Sequence, residues 1–226
     1  MGQKINPKGF RIGTVFGWGS KWFADNKQYK ELVYQDAKIR EVLQAKLKPA
    51  GLANVVIERS INKVKLTLFV SRPGVVIGRG GSGLEDLKKY IEKHFISHQK
   101  SVNPYEVKSA KEMGKLKVEL AVEPIKEPNL NAFLVAQSIS DQLVRRMPQK
   151  RICNQAIERA MNSGAKGMKV LLSGRIGGAE IARREKYGAG TVPLSTIREE
   201  VDFAIVPALT KSGYIGVKVW ICRKSS

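Results

Sequence analysis

The stretch "RPGVVIGRGGSGLEDLKKYI", residues 72–91, decides how the rest of the chain is read. Gly78, Gly80 and Gly83 spell G-x-G-x-x-G, a loop that cradles the pyrophosphate of a dinucleotide. The overlapping Ile77-Gly78-Arg79-Gly80-Gly81 spells I-G-x-x-G, a turn that clamps a nucleic-acid backbone. The flanks separate the two. A dinucleotide loop needs a strand running into its first glycine and an acid about 20 residues further on to hold the ribose. Here Pro73-Gly74 breaks the approach, and "HQKSVN" at 98–103 holds neither Asp nor Glu. A Walker loop fails as well, because Leu84 follows Gly83 where Lys is required. In the backbone-clamping reading, glycines keep side chains out of a tight turn between two helices. Arg79 adds a cation, and the positive end of the helix from Ser82 faces the phosphate.

Outward from the loop, a helix-and-strand alternation fits that reading. Tyr29–Leu47 carries Leu32, Val33, Asp36, Ile39, Val42, Leu43 and Leu47 at helical period, ended by Pro49 and Gly51. "NVVIERS" and "KVKLTLFVS" read as strands joined at Ile61-Asn62, the second alternating Val64, Leu66, Leu68 and Val70. After the short "GVVI" turn comes a helix with Leu84, Leu87, Ile91 and Phe95 on one line, Ser82 as its expected cap and Glu85-Asp86 in its first turn. Residues 97–114 read as a polar loop and "KLKVELAVE" as a third strand. The order αββααβ, helix first, resembles the type II KH domain, and the expected domain is 29–125. Residues 1–28, basic and aromatic without periodicity, are expected to be an arm that lies on a partner. Lys4, Lys8 and Arg11 would be its RNA contacts.

Forty Lys and Arg stand against twenty Asp and Glu, a formal charge of +20. Such an excess repels itself and calls for a polyanion. A basic membrane-surface helix would need a broad apolar face, which no segment offers, and the longest apolar run, around "FAIVPAL", is too short to span a bilayer. The N-terminus lacks the apolar centre of a signal peptide, and Asn6 stands where myristoylation wants Ser or Thr. Cys153 and Cys222, far apart and outside any CxxC, are expected as reduced thiols in the cytoplasm.

Pro124 and Pro128 mark a linker to a second unit, 129–226. Val135, Ile139 and Leu143 share a helix face that ends at Met147-Pro148. A second helix is expected from Pro148 to Asn162, closed by Gly164. "KGMKVLLSG", "EIARREKY", "REEVDFAIV" and "GYIGVKVWICR" follow as strands. The fold class is α+β, the KH unit followed by a two-layer α/β domain with two helices and a mixed sheet of about four strands. At the helix break, "RRMPQKR" sets Arg145, Arg146, Lys150 and Arg151 within seven positions, at a corner instead of around a cylinder. Four cations with no acid among them make a multivalent phosphate site that tracks a strand without reading its bases. "SGRIGG" looks like a second glycine cradle, with Arg175, Arg183 and Arg184 as guanidinium groups for phosphates. His94 and His98, four apart, lack a third ligand, so neither a metal nor a cofactor is expected. No catalytic set can be assembled from two histidines and scattered carboxylates, so the chain is not read as an enzyme. A free-standing KH regulator of RNA remains the alternative.

The runs "MGQKINPKGFRIG", "RPGVVIGRGG", "SGRIGGAEIARREKYGAGTVPLSTIREEVDFA" and "GYIGVKVWICR" closely resemble the bacterial form of the small-subunit ribosomal protein three family, along essentially the whole chain. The resemblance implies a component of the small-subunit head by the mRNA entrance, binding small-subunit rRNA and mRNA. It also implies neighbours among small-subunit proteins ten, fourteen and two, with four and five ringing the entrance. Lys150 and Arg151 match two positions that line the mRNA path in the family and are linked there to unwinding of structured messages. The sequence departs from the family where Asn154 replaces a third basic residue, at Pro148-Gln149, and in the longer loop 97–114.

Overall fold

A computed structural model describes residues 4–60, 63–96 and 117–224. Its helices and strands run α1 (Pro7–Phe10), β1 (Ser20–Lys21), α2 (Asn26–Lys46), β2 (Leu52–Ser60), β3 (Lys63–Val70), α3 (Pro73–Ile77), α4 (Ser82–Ile91) and β4 (Lys117–Pro124). They continue as α5 (Ala132–Val144), α6 (Gln149–Asn162), β5 (Ala165–Gly174), β6 (Arg183–Gly190), β7 (Val201–Thr210) and β8 (Gly213–Arg223). The chain divides into two compact units, residues 18–126 and residues 127–224 joined by residues 4–17. The polar loop expected at 97–114 lies outside the described residues, as does the Ile61-Asn62 junction.

In the unit 18–126 the sheet order is β1-β2-β3-β4. β2 and β3 pair antiparallel, and β3 pairs parallel with β4, Val64 opposite Val118 and Leu66 opposite Leu120. A parallel neighbour requires a crossover, and α3 and α4 lie between these strands in the chain. The alternation read in β3 is its buried face: Val64, Leu66, Leu68 and Val70 meet Ile39, Leu43 and Ile91 from the helices. Asp36 lies on the same helical line and is buried too. It accepts from Arg59 Nη2 at 2.6 Å, Arg59 Nε at 2.9 Å and Trp22 Nε1 at 2.8 Å, so the polar residue in an apolar stripe is a paired charge. The unit carries the αββααβ order of a KH domain, with β1 as an added edge strand parallel to β2.

In the other unit, α5 and α6 pack on one face of a sheet ordered β6-β5-β8-β7. Val135, Ile139, Ile152 and Ile157 close over Met168, Val170, Leu172, Val217 and Val219. The expectation of a mixed sheet is corrected here, since every pairing in it is antiparallel. Both helices precede the strands, so no helix crosses between two of them and parallel neighbours have no connection. Pro207 falls inside β7, tolerated because β7 is an edge.

The N-terminal arm is a second correction. Asn6 caps α1, accepting from the Lys8 and Gly9 amides. Arg11 behind it is wholly buried, and its guanidinium donates to five backbone carbonyls, those of Pro7, Pro193, Leu194, Thr196 and Glu199, at 2.7–3.1 Å. The first described residues therefore belong to the core of the C-terminal unit, while Ser20, Lys21 and Trp22 belong to the other.

Candidate nucleic-acid interface

α3 and α4 meet at the glycine turn with little space between their backbones. A Cβ on Gly83 would lie 2.6 Å from the Val76 carbonyl oxygen, so only glycine permits the crossing. Gly80 has φ +64°, and a Cβ added there would meet nothing within 4 Å, so it serves an open left-handed turn instead of packing. Ile77, Gly78, Arg79 and Gly80 are exposed. The expected cap is corrected: Gly81 precedes α4 at the N-cap position, and the Ser82 hydroxyl donates to the Arg79 carbonyl at 3.0 Å. No side chain caps α4; its first amide, the Ser82 N–H, donates to the Arg79 carbonyl, which places Arg79 at the positive end of the helix. A helix, α3, leads into the first glycine, which rules out the strand-to-loop approach of a dinucleotide site.

In the C-terminal unit, the break between α5 and α6 turns sharply. Arg146 takes φ +61°, the one positive φ outside glycine among the described residues, and Pro148 is extended at the N-cap position of α6. Helix α6 thus begins at Gln149, one residue later than expected. Arg145, Arg146, Lys150, Arg151 and Asn154 are all exposed, and none of the four cations has an ion-pair partner among the described residues.

Arg146 also lines a cleft of about 480 Å³ with Arg175, Lys211, the Gly177-Gly178 turn, Met147 and Pro148. No carboxylate borders it. Arg175 is held there, its Nε donating to the Ala179 carbonyl at 2.8 Å and Nη1 to that of Ser212 at 3.3 Å. The structure therefore brings the "SGRIGG" cradle and part of the helix-break cluster into one concavity. Lys211 escaped the reading of the sequence, because it is one lysine in a β-turn with no motif around it.

The remaining residues divide. Arg184 is exposed; Arg183 forms an exposed ion pair with Glu185 at 2.8 Å. Lys4 is exposed, and Lys8 reaches Asp202 at 3.6 Å. Arg11 is corrected outright as an RNA contact, since its guanidinium is enclosed by protein. His94 stacks on Tyr90 at 4.3 Å between centroids, and His98 lies outside the described residues. Both cysteines are buried, free thiols. Burial, with the Glu185 charge adding to it, pushes the Cys153 thiol up to about 12, far from a reactive thiolate. What these surfaces offer is fixed positive charge, the chemistry that attracts phosphates.

Comparison with known proteins agrees along the length of the chain. Residues 38–130 match the KH domain family, and residues 139–221 match the family described as ribosomal protein S3, C-terminal domain. The small ribosomal subunit protein uS3 of Carboxydothermus hydrogenoformans is 45% identical over 223 residues, 99% of this chain and 92% of that protein. Its counterpart in Persephonella marina is also 45% identical, covering 99% of this chain and 90% of that protein. That of Syntrophobacter fumaroxidans is 43% identical, covering 99% and 98%.

Proposed function

Because this chain belongs to the uS3 family of small ribosomal subunit proteins, we propose that its exposed cations divide two tasks, anchoring on rRNA and holding mRNA at the entrance of the subunit. It is an RNA-binding structural protein of the small ribosomal subunit and not an enzyme. The finer assignment starts from the corner between α5 and α6. Arg145, Arg146, Lys150 and Arg151 stand exposed there without ion-pair partners among the described residues. This is the observation that carries the reading. A corner of unpaired cations holds the phosphates of a separated strand, and so resists its return to a hairpin, without selecting bases.

The KH turn, with Arg79 beside the uncapped start of α4, supplies a second phosphate-facing surface in the other unit, and Lys4, Arg175, Arg183 and Arg184 supply further rRNA contacts. The family resemblance supports proteins ten, fourteen and two as neighbours, with four and five at the entrance. Matches that run through both units leave the free-standing KH regulator without support, because that reading needs only the KH unit. Sedimentation of tagged protein from cell extract tests the assignment. Co-migration with small subunits is the expected result, and a peak confined to free protein would contradict it.

A further inference from the structure

Helices α5 and α6 cover one face of the C-terminal sheet, and the other face presents three rows of four residues. The pairings place Arg184, Ser173, Gly216 and Pro207 in one row, Lys186, Leu171, Lys218 and Ile205 in the next, and Gly188, Lys169, Trp220 and Phe203 in the third. Four of these positions are cations and none is a carboxylate. Arg184, Lys186 and Lys218 have no ion-pair partner among the described residues, although the neighbouring Arg183 and Lys166 each pair with a glutamate. The cations on this face are thus left bare, while Arg183 and Lys166 beside them are neutralised.

The third row adds rings. Trp220 and Phe203 lie 5.1 Å apart between centroids and tilted by 34°, with the Lys169 ammonium 5.5 Å from the indole centroid. Trp220 stands on an inner strand, in the interior of the face, and is partly exposed. At Gly188, where no side chain rises, a hollow of about 280 Å³ opens between Lys169 and Lys186. Ile205 on the outer strand is 53% exposed. A flat array of aromatic and aliphatic side chains interleaved with unpaired cations matches the chemistry of single-stranded RNA, whose bases stack on rings while its phosphates meet the cations. A protein partner fits less well, because lysine is depleted from protein interfaces and three of the four cations here are lysines.

We propose that this outer sheet face is a separate binding platform for single-stranded RNA, with a base stacked at the Trp220–Phe203 pair and the backbone running across Lys169, Lys218, Lys186 and Arg184. It rests on the reading of the chain as RNA-binding but not on the role of the α5–α6 corner.

Photo-crosslinking of the full chain to a short oligouridylate carrying 4-thiouridine, followed by peptide mapping, tests it. Crosslinks are expected on the β5 and β8 peptides. Lys186→Glu with Lys218→Glu should lower them by about tenfold while leaving crosslinks at the KH turn intact. Lys150→Ala with Arg151→Ala should reduce crosslinks at the corner and spare those on the sheet. Crosslinks at the corner or turn but none on the sheet would overturn this proposal alone, and none anywhere would overturn the wider RNA reading with it. Sheet crosslinks indifferent to the charge reversal would overturn it too. So would intact small subunits in which a lysine-directed reagent ties Lys169, Lys186 or Lys218 to another protein and no RNA crosslink forms there.

Discussion

Arg11 shows how a basic residue in a basic protein can be removed from the work of binding nucleic acid. Its guanidinium is enclosed by the carbonyls of Pro193, Leu194, Thr196, Glu199 and Pro7, all of which accept from it. Arg11→Ala removes those bonds and should destabilise the C-terminal unit by about 3 kcal/mol, the scale of lost charge-assisted hydrogen bonds. Hydrogen exchange would register this as lost protection at residues 193–199 and in β7. The salt dependence of RNA binding should not change, whereas loss of a true phosphate contact would flatten its slope by about one unit. A flattened slope with undiminished protection would return Arg11 to the RNA surface. Nothing in the run "NPKGFRIG" signals this role, because four of the five partners lie more than 180 residues away in the chain. Asp36 is the converse, a charge on an apolar stripe whose partners, Arg59 and Trp22, no periodicity names.

Between α3 and α4, the glycines do two different jobs that substitution can separate. Gly83→Ala puts a methyl group 2.6 Å from the Val76 carbonyl oxygen, so the helices must part, at an expected cost of about 2 kcal/mol by analogy with overpacked cores. Arg79→Asp with Gly80→Asp meets open space and a left-handed conformation that Asp tolerates. It should cost only about 1 kcal/mol while sharply reducing RNA crosslinking at the turn. Unfolding by urea and crosslinking, measured on both variants, distinguish the roles. Unchanged crosslinking in the folded aspartate variant would mean the turn serves helix packing alone. At this scale the sequence was most legible. Strands β3 and β8 and helices α5 and α6 were evident from period and from Pro148, because local pattern and tertiary burial agree there. The antiparallel C-terminal sheet and the edge strand β1 were not, since strand partners are set by connections and by the packing of distant segments. Ser82 misled for a local reason: a left-handed glycine at the N-cap position took its place.

Across the molecule, an excess of twenty positive charges pointed to a polyanion before any fold was known, and the family match places the chain in the small ribosomal subunit. Charge alone could not say which cations face RNA. "RRMPQKR" was legible as a cluster because its residues are neighbours, but the cleft that joins Arg146 to Arg175 and Lys211 exists only once β5 and the β7–β8 turn are folded together. The role of the corner is therefore the central claim to test. Subunits reconstituted with Lys150→Ala and Arg151→Ala should assemble normally, because many other cations and two cores still anchor the chain. With Asn154 already neutral, the loss of two phosphate contacts should produce a moderate defect, and Asn154→Lys should act in the opposite sense. The decisive measurement is the elongation rate of these subunits on a message with a stable downstream hairpin against an unstructured one. If the corner holds mRNA, the hairpin message slows several-fold more than the other, on the order of what two lost phosphate contacts remove. Equal slowing of both messages, or of neither, would contradict that role and reduce the corner to an rRNA anchor or a bystander.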